Sequence, residues 1–403
     1  MKETRPKVRR DLSLNPVRHD GQDIIVVQDP LEIIGETLCL TDIASMLLSL
    51  MDGTRSIPEI QAVFTRFGGS QVPPNFVASH FEELDKIGLL ENETYRRRKI
   101  EIFESYSALT EREASHAYEA YEGDPEALRA WVDVVLDDCQ DPEPIRETPP
   151  KVLVAPHIDF RVNESVYRAA YRQLRNRAYD RVVLMGTGHS ILEGIYCLTR
   201  KDFKTPLGTT RNDRGAYEKL MEAADGVASS NDFPHRKEHA LEFQLVFLQH
   251  LLGSDSFELV PILVGGVQHL YHKAPRLREE NSITPFLDAL REVIDEQGRN
   301  TLVVAGVDFS HIGIRFSHRV SAKDMLEETR NHDRNLIEAF EKGDAASFWR
   351  TEVATEGKYN VCGFSTLSTI LEAMEPGVGN CLDYGVWDDA PTGSAVTFAA
   401  LVR

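Results

Sequence analysis

The period of the apolar positions changes along the chain, and the changes divide it. Residues 1–25 are polar, basic and aperiodic, and read as a poorly ordered lead-in. Ile43, Met46, Leu47, Leu50 and Met51 then fall on one helical face that Thr41 can cap. The Asp52-Gly53 stop leads to Ser56-Ile57-Pro58-Glu59, which has capping-box spacing, and to a second helix carrying Ile60, Phe64 and Phe67, ended by Gly68-Gly69. A third helix, with Val77, Phe81 and Leu84, closes at Gly88 before Leu89-Leu90. Three short helices ending in a short apolar segment predict a small helical, winged-helix-like domain over residues 26–95. Residues 96–150 read as a helical linker, broken at Gly123-Asp124-Pro125 and proline-rich from Asp141 to Pro150.

Beyond Pro150 short β-branched runs alternate with helical segments: Lys151–Ala155, Arg181–Thr187, Glu258–Val264, Thr301–Gly306 and Ala395–Val402. Strand–helix–strand alternation predicts an α/β domain over residues 151–403, with a mostly parallel sheet flanked by helices. Nothing in the first 25 residues resembles a secretory h-region, and no run approaches 18 apolar residues, so a cytoplasmic protein without a membrane segment is expected.

The formal charge of −19 changes the list of partners, because an acidic surface repels phosphate backbones and speaks against nucleic acid. The basic run Arg96–Lys99 reads as a solvated helix end. Five cysteines, Cys39, Cys139, Cys197, Cys362 and Cys381, are scattered and form no CxxC, which fits reduced thiols rather than a disulfide framework or a zinc ribbon.

Three of the predicted strands end alike. Val152–Ala155 runs into Pro156-His157, Val182–Met185 into Gly186-Thr187-Gly188-His189, and Leu302–Ala305 into Gly306-Val307-Asp308-Phe309-Ser310-His311. Ligand sites of open α/β sheets form beyond the carboxyl ends of the strands, and convergent imidazoles suit a transition metal. Gly186 and Gly188 allow the backbone to turn sharply and approach a ligand. Asp308 is placed to be a ligand, an orienting partner of an imidazole, or a base. In Glu238-His239-Ala240-Leu241-Glu242 a helix would put both glutamates on one face; the second histidine of a zinc-protease HExxH is missing. Cys362, before Gly363 and a helical pattern, sits where a helix dipole favours thiolate, as a metal ligand or nucleophile, unless it is an inert core residue.

Two resemblances follow from these residues. The stretch LLSLMDGTRSIPEIQAVFTRFGG…FEELDKIGLLEN resembles the PqqD-like peptide-recognition fold, whose members add a peptide as a strand to a sheet edge. The ordered motifs APH, GTGHS, TPLG, KEHALEFQL, VPILVG, VDFSHIG and YNVCG resemble the Memo family, also called AmmeMemoRadiSam system protein B, over essentially the whole C-terminal domain. That resemblance implies a fold similar to class III extradiol dioxygenases, non-haem iron enzymes that open catechol rings with oxygen. It implies metal ligands at His157, His189 and Cys362, catalytic groups at His311, Asp308 and His239, and supporting roles for Glu238 and Glu242. Asp159, as an extra ligand or part of an altered pocket floor, and Gly188 are expected at the substrate or in supporting positions on the residues alone. The family's association with a radical SAM protein implies that protein, or a peptide, as a partner.

The chain departs from the family pattern at Pro156-His157-Ile158-Asp159-Phe160, where Pro-His-Ala-Gly-Tyr is usual, and at Gly186-Thr187-Gly188-His189 in place of Gly-Pro-Ser-His. A thiolate in place of the carboxylate of a two-histidine, one-carboxylate iron site puts ring cleavage in doubt and admits copper beside Fe(II). The expected function is a metal-dependent redox enzyme acting with oxygen on a small organic or peptide substrate. The alternatives are a non-catalytic metal-containing binding protein and a metal-assisted hydrolase.

Overall fold

The computed structural model describes all residues except 1–3, 20–21, 35–37, 69–71, 74, 138–144, 192 and 230, and the side chains of 15–19 and 22–23. Gly69, Cys139 and the start of the proline-rich stretch therefore lie outside the described residues. The chain forms two compact units, Met1–Ala108 and Leu109–Arg403.

The first unit holds strands β1 (Ser13–His19), β2 (Gln22–Gln28) and β3 (Leu38–Leu40) in an antiparallel sheet of that order. Helices α1 (Asp42–Leu50), α2 (Ile57–Gly68), α3 (Phe76–Ile87) and α4 (Glu93–Ser107) follow. The helix signals act as expected. Thr41 Oγ1 caps α1 through the Ala44 N–H, and Ser56 and Glu59 exchange bonds as a capping box. Gly88 closes α3 in the left-handed region at φ 94°. Leu47, Ile60, Val77 and Leu89 form the centre of this unit's core. The hairpin begins inside the stretch read as a lead-in. Its apolar run, Ile24–Val27, is confined to β2, so β1 carries no alternation to announce it.

The second unit opens with β4 (Glu111–Arg112) and α5 (Pro125–Asp137). Leu128, Val132 and Leu136 of α5 are buried in this unit's core, so the segment after residue 109 is part of the α/β body. Next come β5 (Val152–Ala155), α6 (Glu164–Tyr171), β6 (Arg181–Thr187), β7 (Tyr196–Leu198), β8 (Asp202–Thr205), β9 (Gly208–Thr210) and α7 (Arg214–Ala223). After them come α8 (His239–Leu252), β10 (Glu258–Val264), α9 (Thr284–Ile294), β11 (Thr301–Gly306) and β12 (His311–Gly313). The chain ends with α10 (Ala322–Glu341), α11 (Ala345–Val353), α12 (Phe364–Ala373), β13 (Asn380–Asp389) and β14 (Ser394–Val402).

The central sheet runs β12-β14-β5-β11-β6-β10-β7, with β13 on the other edge of β14. Its middle, β5-β11-β6-β10, is parallel and is flanked by antiparallel strands. Both faces are covered, which explains strands that read as continuous apolar runs. Val183, Met185, Val303 and Ala305 face α7, α9 and α12; Val182, Leu184, Leu302 and Val304 face α5, α6 and α8. Among the described residues no helix is long and apolar enough to cross a membrane.

Candidate metal centre

Register places the site. Gly306 of β11 lies level with Ala155 of β5 on one side and Gly186 of β6 on the other. Three neighbouring strands therefore end together, and the chain leaves them at His157, His189 and Asp308. Helix α8 brings the fourth group. A Cβ on Gly186 would stand 2.9 Å from Leu241 Cδ2 and 3.0 Å from Ala240 Cβ, and one on Gly306 would overlap the Ala240 carbonyl. Glycine at both positions lets the first turn of α8 lie directly on the strand ends, with His239 at its start.

The rings of His157, His189 and His239 form a triangle with centroids 5.0–5.1 Å apart. One ligand atom from each lies within 4.8 Å of the others, so the group could hold a metal ion. His157 is buried, His239 is partly covered, and the side chain of His189 is 43% exposed, which leaves the group open on that side.

Two of the imidazoles are oriented through Nδ1. His157 Nδ1 donates to the Gly306 carbonyl at 3.0 Å, and His189 Nδ1 donates to Glu238 Oε1 at 2.9 Å. Both bonds leave Nε2 as the lone-pair atom, the usual way a supporting acceptor prepares an imidazole for a metal. Glu238 is fixed in turn, since its oxygens also accept from the His189 and Ala240 N–H groups.

Burial and the neighbouring imidazoles push His157 and His239 down to about 3, so both are neutral at neutral pH and available as ligands. For His189 burial works in the same direction, but the Glu238 carboxylate outweighs it and raises the pKa. Glu238 is correspondingly held down at about 2 by its bonds to His189, against the opposing effect of burial.

Cys362 stands beside this group, its Sγ 3.6 Å from His157 Nε2 and 3.4 Å from the Asp308 carbonyl. Its backbone N–H donates to Phe309 O and that of Gly363 to Asp308 O. A Cβ at Gly363 would stand 2.7 Å from that same Asp308 oxygen, so the approach requires glycine. The position before α12 agrees with the sequence. The expected low pKa does not hold, because burial and the Asp308 charge push the thiol up and outweigh the helix terminus.

Asp308 is buried; its Oδ1 accepts from the N–H groups of His157 (3.0 Å) and Ile158 (3.3 Å), and its Oδ2 lies 3.6 Å from His157 Nε2. Burial raises its pKa above the ordinary carboxylate value. His311 Nδ1 donates to Phe309 O at 3.1 Å, and its ring packs edge-on to Phe316 at 5.0 Å. Asn360, left-handed at φ 49°, ties the Cys362 turn to this strand by donating to the His311 carbonyl.

The remaining predicted residues are drawn elsewhere. Asp159 turns its carboxylate to the N–H and guanidinium of Arg161. Gly188 donates its N–H to Val264 O, and a Cβ there would run into Ile191. Glu242 faces Arg112, Ser115, His116 and Tyr121. Sequence reasoning missed His116, whose ring stands 5.8 Å from that of His239; only the second glutamate of the α8 motif, spaced one turn from Glu238, hinted that a partner was needed.

An imidazole group beyond the carboxyl ends of a parallel sheet defines an α/β protein with a candidate metal centre. The chain belongs to the Memo family: the family profile described as Memo-like protein matches residues 112–402, nearly all of the second unit. A MEMO1 family protein of Aquifex aeolicus is 30% identical over 391 residues, covering 94% of this chain and 96% of that protein. One from Thermus thermophilus is 27% identical and covers 87% of this chain and all of the relative. A memo-1 homolog of Caenorhabditis elegans is 27% identical over 66% of this chain and 71% of its own length.

Proposed function

We propose that the protein is a metal-dependent redox enzyme in which His157, His189 and His239 hold one Fe(II), with the Cys362 thiol as a further donor and copper as the alternative metal. The carrying observation is the triangle of imidazoles with ligand atoms within 4.8 Å of one another. Imidazole donors suit iron and copper, and an adjacent sulfur adds affinity for copper. When bound, such an ion supplies Lewis acidity and one-electron chemistry with oxygen.

The protein's own groups have separable tasks. Glu238 and the Gly306 carbonyl hold two imidazoles in the tautomer that presents Nε2. Asp308, with Oδ2 3.6 Å from His157 Nε2, can exchange a proton there. His311, committed through Nδ1 to Phe309 O, has Nε2 left to move a proton. The exposed His189 side admits a small substrate, while the His157 side excludes water.

Anaerobic loading with Fe(II) should give one ion per chain, lost in His157→Ala, and oxygen uptake should follow with candidate substrates. Loading of His157→Ala at the parental level sinks the ligand assignment. Product formed without oxygen consumption would favour the hydrolase instead.

A second reading rests on the first unit, where β1 and β3 are the outer strands of the three-stranded sheet. An outer strand can accept a peptide as an added strand. On that reading, by the PqqD-like resemblance, the protein docks a peptide or a radical SAM partner. A stable stoichiometric complex without metal-dependent turnover would support it.

A further inference from the structure

Two buried carboxylates lie one turn apart at the start of α8, the N-cap Glu238 and Glu242, and of the two only Glu238 bonds directly to the three-imidazole group. Glu242 is completely buried and gathers a different set of donors. It pairs with Arg112, accepts from the backbone N–H groups of Ser115 (3.0 Å) and His116 (2.9 Å), and accepts from the Ser115 hydroxyl (2.9 Å). The Tyr121 hydroxyl (2.5 Å) and His116 Nδ1 (3.2 Å) complete the set. All of these donors come from residues 112–121, far from α8 in sequence. Arg112 also donates to the carbonyls of His235 and Glu238, both at 3.0 Å, so the same segment grips the approach to α8.

This clasp ends on a ring. The His116 imidazole stands edge-on to His239, with centroids 5.8 Å apart and planes at 62°, and also meets Phe243 at 5.7 Å. His239 needs such support. His157 and His189 are each fixed by a hydrogen bond through Nδ1, but His239 has no such bond among the described residues. Its Nδ1 stands 3.3 Å from Glu238 Oε1, the oxygen that His189 already holds at 2.9 Å. Packing must therefore choose among its staggered rotamers. His116 is not among the three imidazoles whose ligand atoms lie within 4.8 Å of one another, so it acts through His239 rather than as a ligand.

We infer that His116 is a positioning residue: Glu242 and Arg112 anchor it, and its ring holds the His239 imidazole in the orientation that completes the site. The inference rests on the assignment of His239 to the imidazole group. His116→Gln keeps a donor for Glu242 but removes the ring, whereas His116→Phe keeps the ring and gives up the donor. With histidine-selective labelling of the full-length metal-free protein, the Gln variant should move the His239 ring resonances, identified by their loss in His239→Ala.

In Co(II) titrations followed by visible absorption, His116→Gln should bind about 10–100-fold more weakly with an altered spectrum, the range for removing an orienting partner. His116→Phe should return the resonances, spectrum and affinity close to the parent. Melting temperatures within a few degrees of the parent would show that both variants are folded; if the Gln variant melts early, the Phe variant's rescue remains the deciding comparison. His239 resonances unmoved in the Gln variant, or a folded Phe variant as weak as the Gln variant, overturns the inference. If the parent binds no Co(II) while the Gln variant moves the His239 resonances, the metal assignment falls and the role of His116 in placing that ring stands.

Discussion

The two ends of the parallel sheet treat charge in opposite ways. At the amino ends, Arg181 opens β6 and is buried against Asp213, Glu296 and the Val293 carbonyl, while Arg299 bridges Asp213 and Glu258. The buried Arg181 there meets opposite charge, which is how a fold tolerates a buried ion. At the carboxyl ends three imidazoles gather within about 5 Å of one another, with two buried carboxylates beside them, Glu238 bonded to His189 and Asp308 near His157. Burial and mutual repulsion hold two of the three neutral. Paired charges secure the fold. A concentration of like groups whose Nε2 atoms are left free is what a fold keeps for a ligand.

The contrast can be broken from either end. Asp213→Leu takes the buried one of the two carboxylates from the Arg181 guanidinium, leaving the half-exposed Glu296, and removes the cap that Asp213 provides for the Ala216 N–H. It should cost about 3–5 kcal/mol in denaturant unfolding and leave metal affinity at the parental level. His157→Ala should do the reverse. A loss of metal affinity beyond about 100-fold, or some 2.8 kcal/mol, is expected by calorimetry, with a smaller change in stability.

Glu238→Gln probes the carboxylate that orients His189. With the charge gone but an acceptor retained, affinity should fall about 10–100-fold, and His189 should lose the influence that raises its pKa. Acid titration of the metal-free protein from pH 7 to pH 6 gives the smallest effect. His157 and His239 sit at about 3 in the fold against 6.5 when free, so below 6.5 the unfolded chain binds protons that the fold refuses. That contribution is fully present above 6.5 and declines as pH falls toward 3, by about 1.4 kcal/mol for the two imidazoles between pH 7 and pH 6, offset in part by His189, whose raised pKa acts in the opposite sense. Glu238, held at about 2 against 4.5, adds a further decline below 4.5. A stability profile flat from pH 7 to pH 5 would contradict the burial of His157.

Much of the site was legible because it is written at strand ends. A β-branched run followed by a glycine or proline and a histidine can be read without coordinates, and it yielded His157, His189, Asp308 and His311. The α8 motif yielded Glu238 and His239 as residues of interest. Their division of labour was not legible. Whether His239 stands within the imidazole group depends on how closely the helix approaches Gly186 and Gly306. Asp159 looked like a carboxylate for the pocket and is taken by Arg161, a neighbour that any sequence reading passes over. The thiol of Cys362 was placed at its helix terminus, yet its protonation follows from burial, a property of its surroundings.

What the sequence determined by itself is the class of fold and the local devices that build it. Periodicity, caps and turn residues act within a few positions of one another, so Thr41, the Ser56–Glu59 box and the apolar strands keep their meaning in isolation. Only the tertiary structure decided which distant residues share a space. The register that levels Ala155, Gly186 and Gly306 sets three strand ends side by side. The clasp from residues 112–121 onto Glu242 then brings His116 to His239 across more than a hundred residues. Contacts of that kind arise from packing, which no local pattern encodes.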